Sequence, residues 1–498
     1  MTDPRLRMVA VDLGAESGRA VVGSFDGERL ALEDVHRFPN VPVTLAGTLH
    51  WDFLRLFAEV TVGLRRAAAG GPVASIGVDT WGVDFGLLDA RGRLLANPVH
   101  YRDRRTEGMP DHAFAVVPRA EIYAATGIQF MPINTLYQLY SMVRAGDPQL
   151  DQADRLLMMA DLFHHFLAGS AVAEYTNAST SQCLDPVARD WARPLLDRFS
   201  IPTRILPPVV APGTVLGAVR ADVAAETGLR DARVVAPGSH DTASAVVGAP
   251  LAGPTTAFLS SGTWSLIGLE VPAPVISDVT LAANLTNEGG VGGTVRLLRN
   301  VVGLWLVQES RRALWPAGDA PSYEELATLA GAAPAFTSFI DPDDERFLRP
   351  GDLPARVRAF CAETGQPVPG DDGTLIRVIL ESLALRYAVA VDELVRASGH
   401  PVEEIQVVGG GSNNRLLCRL TASATGLPLR AGPVEATASG NLCVQAIAAG
   451  ELASVAEARA LIAHSFPVTA YEPEGDWSEA RARFAEISAR RRPAASTP

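Results

Sequence analysis

The sequence predicts an α/β protein of two domains, and three observations carry that prediction. At 498 residues the chain exceeds what one hydrophobic core serves, so two domains are the default. Strand-like and helix-like patterns alternate along it. Two strand–turn–strand units of one plan, Met8–Gly23 and Ala257–Gly268, open the two halves. Their matched places point to a duplicated core.

In chain order, Met8–Val11 reads as a buried strand, Leu13–Gly18 as a glycine-containing turn and Arg19–Ser24 as the returning strand. Trp51–Ala69 has apolar residues at helical spacing and is stopped by Gly70 and Gly71. Ser75–Val78 is a strand that runs into Asp79-Thr80-Trp81-Gly82-Val83-Asp84-Phe85, with Leu87 and Leu88 continuing as a strand. Residues from about 111 to 169 read mainly as helix, and Pro202–Pro212 as proline-rich turns. The turn-rich Pro250–Pro254 marks a domain boundary. The expected division is therefore 1–249, 250–465, and a C-terminal helix with a polar tail over 466–498. Past the boundary come a strand at Thr256–Leu259, a turn at Ser260–Trp264 and a strand at Ser265–Leu269. Leu375–Ala397 is a long amphipathic helix ended by Gly399. Ile405–Val408 is a strand, Gly409–Gly411 a loop and Arg415–Ala424 a helix that Asn413 or Asn414 can cap.

Composition narrows the function. Hydrophobic content of 47% with 20% charge is that of an ordinary globular protein. A net charge of −13 excludes a broad surface for nucleic acid or anionic membrane. All 43 basic residues are arginine. Without lysine there is no P-loop grip on phosphate and no Schiff-base chemistry. The four cysteines, Cys183, Cys361, Cys418 and Cys443, are far apart and form no CxxC. They read as reduced core thiols of a cytoplasmic protein. No stretch reaches the roughly 18 apolar residues of a membrane span, and the early strand at Met8 leaves no pattern of a secretory leader.

Five constellations carry chemistry. Asp12-Leu13-Gly14-Ala15-Glu16-Ser17-Gly18-Arg19 is a tight turn whose backbone amides can wrap phosphate oxygens. In it Asp12 is placed to hold Mg²⁺ and Arg19 to add positive charge. Ser260-Ser261-Gly262-Thr263 offers a second small-residue turn with three hydroxyls. Together the two turns make a lysine-free clamp for polyphosphate. Gly409-Gly410-Gly411-Ser412-Asn413-Asn414 lets a flat ligand approach the backbone, which suits an adenosine pocket and equally a sharp strand-to-helix turn. Gly238-Ser239-His240-Asp241-Thr242-Ala243 puts a carboxylate where it can take the proton of an attacking hydroxyl. The plainer reading makes Asp241 the cap of a helix over Thr242–Val247. Finally, DTWGVDF at Asp79–Phe85 combines aromatic rings and carboxylates, as a sugar site does, and reads equally well as core.

Read together, these motifs resemble the FGGY family of carbohydrate kinases. The resemblance is carried by VDLGAESGR (Val11–Arg19), IGVDTWGVDFGLLD (Ile76–Asp89), YRDRRT (Tyr101–Thr106), GIQFMPINTLYQL (Gly127–Leu139), EYTNAST (Glu174–Thr180), GSHDTASAV (Gly238–Val246), LSSGTWSLIG (Leu259–Gly268), LAANLTNEGG (Leu281–Gly290), LRNVVGLWLVQ (Leu298–Gln308) and VVGGGSNN (Val407–Asn414). It implies two actin-like (ribonuclease-H-like) domains with ATP bound in an interdomain cleft. DTWGVDF, SHDTASAV and TNEGG resemble the members that act on L-rhamnulose, and imply phosphoryl transfer from ATP to its 1-hydroxyl. On this resemblance Asp241 is the catalytic base. Gly82, His240, Asp241, Thr242 and Asn300 contact the sugar. Ala15, Glu16, Ser17, Gly18, Arg19, Thr263, Gln308, Gly410 and Gly411 contact the nucleotide, and Asp12 holds the metal. Glu16 departs from the family pattern, standing where a small residue such as Ser is expected. The partners implied are the sugar and ATP with Mg²⁺, in a monomer or small homo-oligomer that binds neither nucleic acid nor membrane. L-fuculose, xylulose or glycerol is the alternative acceptor, and a non-catalytic actin-like nucleotide sensor the alternative class. A Ser-His-Asp hydrolase is disfavoured, because adjacent residues do not usually build that triad and no GxSxG elbow is present.

Overall fold

The first hairpin pairs Leu6–Leu13 with Ser17–Phe25 in antiparallel register, longer at both ends than its apolar run suggests. A third strand, Leu30–Pro39, continues the sheet and forms its edge. The sequence reading assigns no element there, because Glu33, Asp34, His36 and Arg37 interrupt the apolar pattern. A half-solvated edge strand tolerates such charges. In the computed structural model, which describes residues 6–316 and 318–489, this sheet belongs to the first of two compact units.

The first unit comprises Met1–Pro250, Glu270–Leu298 and Glu435–Pro467. Its six-stranded sheet runs, edge to edge, Val215–Ala218, Arg233–Val235, Ser75–Thr80, Leu6–Leu13, Ser17–Phe25 and Leu30–Pro39. The strand Ser75–Thr80 lies parallel to both of its neighbours. Helices cover the two faces, as the near-continuous burial of the central strands requires. Gly63 of helix Phe53–Ala69 abuts Ala20 and His36 on one face. Leu442 of helix Ala436–Ala448 lies against Gly23 and packs in one core with Met8, Ala10 and Val21 on the other. A second core within 85–209 gathers Leu136, Tyr137 and Leu139 from the helix Thr135–Ala145 and Leu156 and Met158 from the strand Arg155–Met158, which interrupts the stretch read as mainly helix.

The second unit comprises Leu251–Leu269, Arg299–Val434 and Val468–Pro498. Strand Thr256–Ser261 pairs antiparallel with Trp264–Val271 and parallel with Glu404–Val408, which pairs parallel with Leu429–Ala431. The first unit's plan, a hairpin with a parallel strand beside its first arm, is thus repeated. The long helix spans Asp372–Ser398; Asp371 caps it by accepting the Thr374 N–H at 2.8 Å, and Gly399 ends it with φ 70°.

The first break, after Pro250, falls beside the expected boundary. The sequence reading takes 250–465 as one piece, whereas the structure gives Glu270–Leu298 and Glu435–Pro467 to the first unit. The reason is burial: Leu442 and Ala446 complete the core begun by Met8 and Ala10. The helix Ser478–Ala489 is present, and the polar tail from 490 onward lies outside the described residues.

Candidate active site

Three charged residues stand abreast on adjacent strands of the first unit. Parallel register sets Asp79 beside Asp12, and antiparallel register sets Asp12 beside Arg19. Asp12 Oδ2 accepts from Arg19 Nε at 2.9 Å and from Nη2 at 2.7 Å, and Arg19 also pairs with Glu435. Asp79 is fully buried; its Oδ2 accepts from Asn441 Nδ2 at 2.5 Å, while Oδ1 has no hydrogen-bond partner. Burial first, and then the charge of Asp12, hold the Asp79 carboxyl well above the usual range. Both aspartates sit at the carboxyl ends of parallel strands, where open α/β sheets place their ligands.

The turn that follows Asp12 is closed by the Gly14 N–H donating to the Ser17 carbonyl at 2.9 Å. Asn40 pins it twice, through its side chain to the Gly14 carbonyl and its backbone N–H to the Glu16 carbonyl, each at 2.9 Å. Gly18 admits no side chain, since a Cβ there would run into Phe38 and Leu13.

Asp241 opens the helix Asp241–Val247 as its first residue, and His240 takes the cap position. The bland reading of Asp241 as the cap is therefore corrected by one residue. Its carboxylate is 30% exposed, with Oδ1 accepting from Thr242 Oγ1 at 3.1 Å and lying 3.4 Å from His240 Nε2. Partial burial raises its proton affinity, His240 opposes this, and Asp12 adds to it. The loop is tied to the row of aspartates through the Thr80 N–H, which donates to the Ser239 carbonyl at 2.9 Å.

Glu174 holds this loop from behind, a role the sequence reading did not assign. It is wholly buried and accepts from the backbone N–H of Thr176, Asn177 and Ser239 at 2.9, 3.2 and 3.1 Å. It also accepts from Thr176 Oγ1 at 2.6 Å, and that hydroxyl receives the His240 N–H at 3.2 Å. Burial pushes the Glu174 carboxyl up from 4.5 to about 7, against the pull of the Thr176 hydrogen bonds. The folded state therefore holds this proton more tightly than the unfolded chain does. The resulting stabilisation is full below pH 4.5 and disappears as pH rises through 7. In urea unfolding from pH 4.5 to 8, wild type is expected to lose about 3 kcal/mol relative to Glu174→Gln, with no further loss above 8. A pH-independent difference between the two would show that Glu174 does not titrate in this range.

DTWGVDF resolves differently from its sugar-site reading. Trp81 and Phe85 are buried core. Asp84 accepts at Oδ2 from the indole N–H of Trp51 at 2.6 Å, that of Trp81 at 3.0 Å and the Tyr101 N–H at 3.2 Å. Its Oδ1 takes Gln138 Nε2 at 2.9 Å. Four internal donors leave this carboxylate to structure rather than to sugar hydroxyls. Gly82 is half-buried, and a Cβ there would strike Thr180. The next residue, Val83, has φ 68°. A β-branched residue in the left-handed region is strained, and here hydrogen bonds from Val83 N–H to Thr180 Oγ1 and from Thr135 Oγ1 to the Val83 carbonyl hold it.

In the second unit, three candidate nucleotide elements lie side by side. Register pairs Ser260 with Val408, so the turn through Thr263 and the glycine loop emerge from neighbouring parallel strands. Helix Trp305–Leu314 backs that turn: the Leu304 N–H donates to the Gly262 carbonyl at 3.0 Å and the Trp305 N–H to that of Thr263 at 3.1 Å. Gln308, one turn on, has a buried Oε1 with no hydrogen-bond partner. Gly411 must be glycine because a Cβ would overlap Ser261, and Gly409 has φ 82°. Gly410 is different: it is exposed and a Cβ there would meet nothing within 4 Å. Nothing in the chain demands glycine at 410, whereas a flat ligand lying on that backbone would. Asn414, rather than Asn413, caps the next helix by accepting the Leu417 N–H at 3.0 Å. Asn300 lies on the strand Val295–Val302 and belongs to the second unit, apart from the other four candidate sugar contacts in the first.

The donor set around Asp12 can be weighed for a metal. Among the described residues no group of three or more His, Cys, Asp or Glu side chains forms a cage. Two carboxylates abreast, one with an orphaned buried oxygen, suit a hard cation that keeps waters and binds phosphate. No helix among the described residues is long and apolar enough to cross a membrane.

Comparison with known proteins agrees with this geometry. Residues 7–248 match the model of the FGGY family of carbohydrate kinases, N-terminal domain, and residues 257–449 that of its C-terminal domain. A rhamnulokinase of Bacteroides thetaiotaomicron is 44% identical over 95% of this chain and 98% of its own. One from Bacillus subtilis is 38% identical over 93% and 95%. Among solved structures, a gluconate kinase from Lactobacillus acidophilus aligns with TM-score 0.79 at 18% identity, covering 97% of this chain and 96% of its own. A Plasmodium falciparum glycerol kinase with ADP aligns with TM-score 0.75 at 14% identity, over 97% of each chain.

Proposed function

Since the chain belongs to the FGGY family of carbohydrate kinases, we propose that it transfers the γ-phosphoryl group of ATP to the 1-hydroxyl of L-rhamnulose, giving L-rhamnulose 1-phosphate and ADP. The observation that carries this reading is near-full-length identity of 38–44% to proteins named rhamnulokinase.

Asp241 takes the proton of the attacking hydroxyl as the new oxygen–phosphorus bond forms and the bond to ADP breaks. Its half-open position and raised proton affinity support that role. Gly82, His240, Thr242 and Asn300 contact the sugar. The turn from Ala15 to Arg19, with Glu16, Ser17 and Gly18, contacts the nucleotide together with Thr263, Gln308, Gly410 and Gly411. Asp12, with Asp79 beside it, would hold Mg²⁺, which when bound neutralises charge on the phosphates. Backbone amides, hydroxyls and Arg19 stand in for the absent lysine. A cytoplasmic setting is supported by four free, buried cysteines.

The test is ADP release with ATP and a panel of L-rhamnulose, L-fuculose, xylulose and glycerol. The expected kcat/KM is highest for L-rhamnulose by at least roughly tenfold. A higher value for another acceptor would move the assignment to that sugar, and no sugar-dependent release would favour a nucleotide sensor.

A further inference from the structure

Arg296 has no part in the chemistry above, yet it is fully buried beside His240. Its Nε donates to the Gly289 carbonyl at 2.8 Å. Its Nη2 lies 3.1 Å from His240 Nδ1 and 3.3 Å from Glu288 Oε2. Asp241, Glu288 and Arg296 are the charged groups within ion-pair or hydrogen-bond reach of the His240 ring.

A guanidinium has five N–H donors and no acceptor. His240 Nδ1 faces two groups, Arg296 Nη2 at 3.1 Å and Glu288 Oε2 at 3.3 Å. The guanidinium can only donate to it, and the carboxylate oxygen is itself drawn to that cation at 3.3 Å, so the nearer donor favours a lone pair on Nδ1. We propose that Arg296 is a positioning residue that fixes His240 as the Nε2–H tautomer and so aims an N–H at the base carboxylate and the sugar site. This inference rests on the reading of Asp241 as the base.

The consequence is specific. His240 Nε2 and Thr242 Oγ1 both face Asp241 Oδ1. Side-chain donation is thus concentrated on one carboxylate oxygen, and Oδ2 is the one left to accept the proton of a hydroxyl. With the proton on Nδ1 instead, Nε2 would turn a lone pair toward Asp241 and repel it. A bound sugar oxygen would likewise lose a donor. The two ring nitrogens of a histidine are set apart by such a neighbour. Glu288 offsets the charge of the buried guanidinium, which allows Arg296 to stay there as a cation.

The tautomer is readable by long-range nitrogen–proton NMR on histidine-labelled, sugar-free protein at pH 7.5, with His240→Asn used only to assign the signal. The expected wild-type spectrum shows neutral His240 protonated at Nε2. An Nδ1–H tautomer or an imidazolium would overturn the proposal, and this reading needs no variant at position 296 to fold. In Arg296→Met the tautomers are expected to mix, and kcat to fall by on the order of 10²-fold with the KM for ATP unchanged. Arg296→Lys, which still donates, is expected to recover part of both. An unaltered tautomer and kcat in a folded Arg296→Met would equally overturn it. The spectrum contains no sugar, so it stands or falls separately from the choice of acceptor and from the kinase assay.

Discussion

If Asp241 is the base, Asp241→Asn is expected to lower kcat for sugar phosphorylation by about 10²- to 10⁴-fold and to leave ATP affinity nearly unchanged. The substitution keeps shape. An amide oxygen can still accept from Thr242 Oγ1, as Oδ1 now does at 3.1 Å. What disappears is an oxygen able to take a proton. Asp12, Arg19 and the turn between them are untouched, so the first unit's candidate phosphate turn is expected to persist. Stability separates this outcome from simple damage. Burial disfavours the ionised carboxylate in the folded state, His240 opposes this and Asp12 adds to it, with the net effect against ionisation, so removing that charge is expected to cost little near neutral pH. The variant's Tm should equal or exceed that of wild type. Loss of activity accompanied by a lower Tm would point to unfolding, and near-normal kcat would end the assignment of the base. Such a gain of stability on removal of the proposed base is the expected trade between stability and activity.

Gly440→Ala destabilises the first unit by about 3 kcal/mol, because two helix backbones touch where that methyl would go. A Cβ at 440 would overlap the Ser244 carbonyl and crowd the Gly248 N–H, and one at 248 would overlap the Ala436 carbonyl. No flexible side chain is present to move aside. The contact joins Asp241–Val247 to Ala436–Ala448, so relieving it displaces the helix that begins at Asp241. Both the urea midpoint of the first unit and kcat should fall. A control alanine at Gly331, where a Cβ meets nothing within 4 Å, should change neither. Wild-type stability in Gly440→Ala would mean that the two helices are not held in this contact.

What could be read in the sequence was local. The two hairpins, the placing of Asp12 and Arg19 at the turn of one of them and the glycine run before Ser412 all follow from residues within a few positions of each other. Asp241 was legible as a carboxylate on a turn, though as a helix cap rather than a first helical residue. Illegible were the partners that arrive from far along the chain. Periodicity shows which face of an element is buried, not what buries it. Asn441 reaches Asp79 across 362 positions, and nothing near either residue announces it. Glu174 had no role in the sequence reading beyond its place in EYTNAST, yet three backbone amides and a hydroxyl converge on it. Asp84 misled for the same reason: its environment is set by Trp51 and Gln138, 33 positions before it and 54 after.

The interleaving of the two units has a consequence for how the chain comes into being. Synthesis runs from the N-terminus, and the strands of the first unit's six-stranded sheet are all complete by Val235. The helix that covers Met8 and Ala10 and donates to Asp79 Oδ2 begins only at Ala436. At a translation rate of 5–20 residues per second, the ribosome needs about 10–40 s to cross that interval. Throughout it, one apolar face of a nearly finished sheet waits for its cover. A nascent chain arrested there exposes apolar surface of the kind that invites aggregation before the finished fold can protect it.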